Sequence, residues 1–117
     1  MDLNNAVQKH AEWKIKLRSA ISKHAQMDVP TLARDDCCEL GQWLHGEAKA
    51  RFGTLGAHAD CVRKHQVFHT EVAKVAAAVN AGRYTHADSL LGAGGGFASA
   101  SSALSVAFMQ LRKSAEI

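Results

Sequence analysis

The first residues able to do chemistry are three histidines. His65 and His69 lie four apart, and His10 stands far upstream. Four residues is one helical turn, so two imidazoles at that spacing leave a helix on the same side and can reach one ion. The spacing alone is a weak signal. Seven histidines in 117 residues give on the order of 0.4 such pairs by chance. Their setting adds weight, because all three fall on apolar stripes of helical period. An imidazole facing a core is costly unless its nitrogens have partners. Either each ring bonds separately to a carbonyl or hydroxyl, or the three share a cation.

A fourth donor is available in "DDCCELGQWLHG", residues 35 to 46, where Cys37 and Cys38 are adjacent. A thiol at a helix start has its pKa lowered by free N–H groups and the helix dipole. Metal binding needs the thiolate, so the place suits a ligand. Three neutral imidazoles and one thiolate match zinc, which takes nitrogen and sulfur tetrahedrally; copper binds such groups too. Four protein donors would close the site to substrate and water, making it structural or sensory, not hydrolytic.

The other candidates read more plainly. His24, His45, His58 and His86 fall near helix ends or on outward faces and are expected at the surface, with His24 continuing an apolar stripe. Cys61 lies one turn before His65 and reads as a small buried apolar residue. Cys37 could serve as a resolving thiol, although sequence neighbours bridge poorly. Asp35, Asp36 and Glu39 are expected to cap the helix that follows, with hydrogen bonds to ligand imidazoles as the lesser role. Trp13 and Trp43 read as core and as cover for a site. The glycine run at 92 to 96 lacks the Lys and Ser/Thr of a phosphate loop. No Ser/His/Asp arrangement or acid/base carboxylate pair has distinctive spacing, so the chain is expected not to be an enzyme.

These donors need elements to position them. The composition is 47% apolar and 21% charged, with one proline, abundant alanine and scarce Ile, Tyr and Thr, which favours helices. The first predicted helix runs from about Leu3 to His24, with Leu3, Ala6, Val7, His10, Trp13, Leu17, Ala20 and Ile21 on one face. "MDVPTLARDD" reads as a connector stopped by Pro30. A short helix is predicted from Cys38 to Leu44, and "GEAKARFGTLG" as a second connector. The clearest helix runs from about Ala57 to Asn80, with Cys61, Val62, His65, Phe68, His69, Val72, Val75, Ala76 and Val79 on one face. A fourth begins near Tyr84, is interrupted at "GAGGG" and resumes near Phe97 through Leu111. The fold class expected is all-α: an antiparallel four-helix bundle with an additional short helix carrying the Cys ligand, a single domain over 1–117.

The net charge of +3, without a basic run, argues against nucleic acid and against an acidic membrane surface. No apolar stretch is long enough for a bilayer span, and the amphipathic start is not a secretion signal. An odd cysteine count argues for reduced thiols and a cytoplasmic setting.

Three linked blocks resemble the chemoreceptor zinc-binding (CZB) domains of bacterial receptors and diguanylate cyclases. They are His10-Ala-Glu-Trp13, Cys38-Glu-Leu40-Gly41-Gln-Trp43 and His65-Gln-Val-Phe-His69. The gaps, 24 residues from Trp13 to Cys38 and 21 from Trp43 to His65, suit that family. The resemblance implies a helical bundle, usually a homodimer, with Zn2+ held by three His and one Cys. The implied metal ligands are His10, Cys38, His65 and His69; only that register puts Leu40, Gly41 and Trp43 in place, leaving Cys37 as bystander. It further implies a regulatory module for zinc or oxidant sensing in signal transduction or chemotaxis, controlling an output protein such as a chemoreceptor or diguanylate cyclase. The competing expectations are a metallo-enzyme with an open zinc site and a helical interaction module with structural histidines.

Overall fold

The computed structural model describes residues 3–117 and is all-helical among them; Met1 and Asp2, included in the expected single-domain span, lie outside the described residues. The eight helices are α1 (Leu3–Ala11), α2 (Trp13–Lys23), α3 (Val29–Ala33), α4 (Glu39–His45), α5 (Glu47–Phe52), α6 (Gly56–Asn80), α7 (Tyr84–Leu90) and α8 (Gly96–Ala115). Together they form the expected helical bundle, with α6 as its spine.

The predicted first helix is α1 and α2 in sequence. Only Glu12 interrupts it, and Glu12 itself keeps helical torsions, with its N–H on Gln8 O at 3.0 Å. The rod ends at His24 in the left-handed region (φ 50°), where Ala25 N–H reaches back to Ala20 O at 3.0 Å, a common helix terminator.

Two short helices replace predicted connectors. Pro30 opens α3 instead of stopping a helix, because a proline in the first turn loses no hydrogen bond. Asp28 caps it, accepting from Thr31 N at 3.3 Å and Thr31 Oγ1 at 2.7 Å. In the second connector, Gly46 and Gly53 bracket the helix-forming run Glu47–Phe52 and leave α5 between them. The glycines at 92 to 95 do break the last predicted helix, into α7 and α8.

The core lies along α6 and α8, with α2, α3 and α4 packed on α6 and α1 against α4 and α8. Phe68, Val72, Val75 and Val79 of α6 bury with Phe97, Ala100, Leu104, Phe108 and Leu111 of α8. Phe68 and Phe97 stack obliquely at 5.5 Å between centroids, and Trp43 of α4 reaches Phe108 at 6.4 Å. Asn80, at the end of α6, binds the main chain of Met27 twice, at 2.8 Å each way, and so pins the segment leading into α3.

Candidate metal centre

Each donor reaches the centre from a different local design. His10 sits in the last turn of α1, and His65 and His69 occupy consecutive turns of α6. Cys38 is the residue that caps α4: its extended backbone lets Sγ accept from Gly41 N at 3.3 Å. Gly41 makes the approach possible, since a Cβ there would overlap the Asp35 carbonyl and press on the His65 ring.

The four donor atoms all lie within 4.8 Å of one another. His65 Nε2 stands 3.1 Å from His10 Nε2 and 3.0 Å from His69 Nε2. Cys38 Sγ is 3.7, 3.3 and 3.6 Å from the Nε2 atoms of His10, His65 and His69. Donors set tetrahedrally around zinc, with bonds of about 2.0 Å to nitrogen and 2.3 Å to sulfur, stand roughly 3.3 Å apart (N to N) and roughly 3.5 Å apart (N to S). The observed spacings lie close to that figure.

The protons lead the same way. His10 Nδ1–H donates to Ala6 O at 2.9 Å and His69 Nδ1–H to Leu32 O at 3.0 Å. Those bonds commit the Nε2 lone pairs of both rings to the centre. His65 is fully buried and its Nδ1 has no partner among the described residues. From Nε2 it can donate to at most one of the three acceptors around it. A cation at the centre would take the Nε2 lone pairs of all three rings and the Cys38 sulfur at once, with the His65 proton moved to Nδ1.

Burial governs the charges. Desolvation drives the His65 pKa down to about 2, helped by the neighbouring His69 and His10. It also lowers His10 and His69, against the carbonyl bonds that pull upward. The imidazoles are therefore neutral, as metal ligands must be. The Cys38 thiol departs from the sequence expectation. Its pKa is raised, because burial outweighs the N–H groups of Gly41 and its neighbours. Without a cation, the end of α4 does not by itself yield a thiolate.

The remaining candidates are sorted by the fold. Cys37 is exposed and Cys61 fully buried. His24 is exposed and stacks on Tyr84 at 3.9 Å. His45 binds Asp35 at 2.8 Å, and His86 is exposed. His58 corrects the surface expectation: it is buried, and its Nε2–H donates to Leu44 O at 2.8 Å, anchoring the end of α4. Its signal was present, since His58, Cys61, His65, His69 and Val72 run at spacings of three and four. The acidic residues do not cap α4 with their side chains. Asp35 pairs with His45, Asp36 with Arg34 at 3.0 Å and Glu39 with Lys9 at 3.3 Å. The Leu32 carbonyl, which orients His69, had no signal in sequence because it is main chain. Trp43 is buried and Trp13 half-buried.

A family model described as the chemoreceptor zinc-binding domain matches residues 10–76, the segment that holds all four donors. No curated protein and no solved structure matches the chain.

Proposed function

The chain belongs to the chemoreceptor zinc-binding (CZB) domain family, whose metal is zinc, and from that premise we propose that it is a regulatory zinc-sensing module whose ligands are His10, Cys38, His65 and His69. The observation that carries the assignment is the convergence of four donor atoms from three separate helical elements at spacings that match the edges of a zinc tetrahedron. Bound zinc would cross-link α1, α4 and α6 and, with four protein donors, leave no position for a substrate. The reading is therefore of a sensor, not an enzyme.

Release acts through α4. That helix has only seven residues, too few to hold its shape alone. It is tied at one end by Cys38 and at the other by His58 on the Leu44 carbonyl. Chelation, acid or oxidation of the Cys38 sulfur frees the first tie. The bend at residues 34–38 and the start of α4 then lose their anchor, while α6 and α8 keep their own packing. In a homodimer this change would pass between subunits to a signalling output of the chemoreceptor or diguanylate cyclase kind. Val106 and Met109 on α8 are exposed and offer an apolar patch for the second copy. A cytoplasmic setting suits a site that depends on a reduced thiol.

Zinc stoichiometry on the purified chain and on two cysteine variants tests the assignment. The wild type should hold one zinc, Cys38→Ser should lose affinity by orders of magnitude, and Cys37→Ser should keep it. Equal losses from both variants would overturn the ligand set. Cobalt substitution should give the spectrum of a four-coordinate centre with one sulfur; a water-bearing centre would favour an open catalytic site.

A further inference from the structure

The three elements that carry the proposed donors are not held equally. The spine of the core is α6, and α4 buries Leu40, Gly41, Trp43 and Leu44 out of its seven residues. With nine residues, α1 buries only Ala6 and His10, while Leu3 and Val7 are half-buried. Space flanks α1 on both sides. A cavity of about 30 Å3 lies between it and α8, bordered by Val7, His10, Leu104 and Phe108, with room for about two waters. A surface pocket of about 280 Å3 lies between it and the start of α4, bordered by Ala6, Lys9, His10 and Cys38. The polar ties across these gaps include Arg112 Nη1–H to Asn4 Oδ1 at 2.8 Å and Lys9 Nζ to Glu39 Oε1 at 3.3 Å. Both stand at the surface, where such bonds are weak.

The donors are also tied differently. His69 Nδ1–H is held by the Leu32 carbonyl on another helix, α3, and Cys38 Sγ by the Gly41 N–H within α4. His10 Nδ1–H instead bonds Ala6 O, one turn back in α1 itself, at 2.9 Å. That bond locks the ring to α1, so the ring travels wherever α1 goes. Two residues beyond His10 lies Glu12, which separates α1 from α2. We propose that α1 opens as a unit about Glu12, withdrawing His10 Nε2 from the centre, and that this motion limits metal exchange. Opening breaks the Asn4–Arg112 and Lys9–Glu39 ties. It leaves His65, His69 and Cys38 in place, held on α6, α3 and α4. A short helix with few buried side chains is the kind of segment that opens first. The inference rests on the zinc reading and deepens it: α4 responds once the metal is lost, while α1 sets how fast it exchanges.

The test loads the full chain with zinc and follows zinc release to excess chelator. The wild-type rate should not change with chelator concentration, because opening limits it and not attack by the chelator. Arg112→Ala should quicken release about fivefold, the worth of one surface tie. Asn4→Asp, which adds a charge to that tie, should slow it. Arg18→Ala removes a surface ion pair of the same kind between α2 and α7 and should leave the rate unchanged. In a His10→Ala background, where α1 no longer holds the metal, Arg112→Ala should add nothing. Amide exchange in the zinc-loaded chain should be faster in residues 3–11 than in residues 39–45. Circular dichroism confirms that each variant is folded. Stoichiometric zinc whose release rises with chelator concentration or ignores Arg112, or exchange in α4 ahead of α1, would overturn the proposal alone. A wild type that holds no zinc would overturn the ligand set together with it.

Discussion

At the residue scale, the centre shows how little room the close approach of α4 to α6 leaves. A Cβ at Gly41 would overlap the Asp35 carbonyl oxygen and lie 3.2 Å from His65 Cε1. The first contact is with main chain, which cannot swing aside as a flexible side chain can. Gly41→Ala should therefore cost about 2 kcal/mol or more, at the upper part of the range for overpacking. It should also weaken zinc binding, because the bend that presents Cys38 must shift. Urea unfolding and zinc content measure the two effects; wild-type values for both would show that the bend is looser than the structure indicates. The three thiols offer a second check. Burial raises Cys61 to about 12, so this thiol stays protonated and sealed. Alkylation of the folded, zinc-loaded chain should label Cys37 first, and Cys61 only after unfolding.

At the element scale, two contacts decide where the short helices go. Asn80 forms a two-point bond with the main chain of Met27 from the far end of α6. That bond fixes the segment before α3, and α3 in turn delivers the Leu32 carbonyl to His69. Asn80→Ala leaves a partly buried main-chain pair without partners, which costs about 1–3 kcal/mol. Amide exchange should quicken in residues 27–33 while α8 stays protected. Phe68 plays the corresponding part for the rings. It lies 5.4 Å from His10, 5.7 Å from His69 and 5.5 Å from Phe97, centroid to centroid. Phe68→Ala should cost about 3–5 kcal/mol and loosen both of these proposed ligands. A calorimetric fall in stability without a fall in zinc affinity would show that the rings are held by their carbonyl bonds alone.

At the scale of the whole molecule, the body measures 43 × 25 × 20 Å. Its long axis follows α6, whose 25 residues span roughly 37 Å. The α6–α8 core contains no metal donor from α8, so it should survive zinc removal. Zinc at a thousandfold over its dissociation constant adds about 4 kcal/mol to stability, roughly 15 °C in Tm for a chain of this size. Chelation should take that increment away and leave most of the helical circular dichroism in place. Complete loss of helix on chelation would mean that the core depends on the site. The proposed dimer makes its own prediction. Met109 is 68% exposed and Val106 54%, so Met109→Glu should shift sedimentation toward the monomer while zinc content is kept.

The sequence by itself determined the helical class and the register of the two long apolar stripes on α6 and α8. It also singled out His10, His65 and His69 on apolar stripes, while the choice of Cys38 over Cys37 rested on the resemblance to a known family. Periodicity carries this information, because side chains three and four apart must share a face wherever the helix packs. The tertiary structure alone decided the rest. It turned the two connectors into α3 and α5, where capping by Asp28 and bracketing by Gly46 and Gly53 overrode the reading of proline and glycine as breakers. It moved His58 into the core, and it gave Asp35, Asp36 and Glu39 partners other than the helix they precede. It reversed the expected shift at Cys38, since desolvation depends on what packs above the sulfur and not on the local helix end. Distances between residues far apart in the chain are set by packing, and no local pattern of residue types encodes a 3 Å separation across α1, α4 and α6.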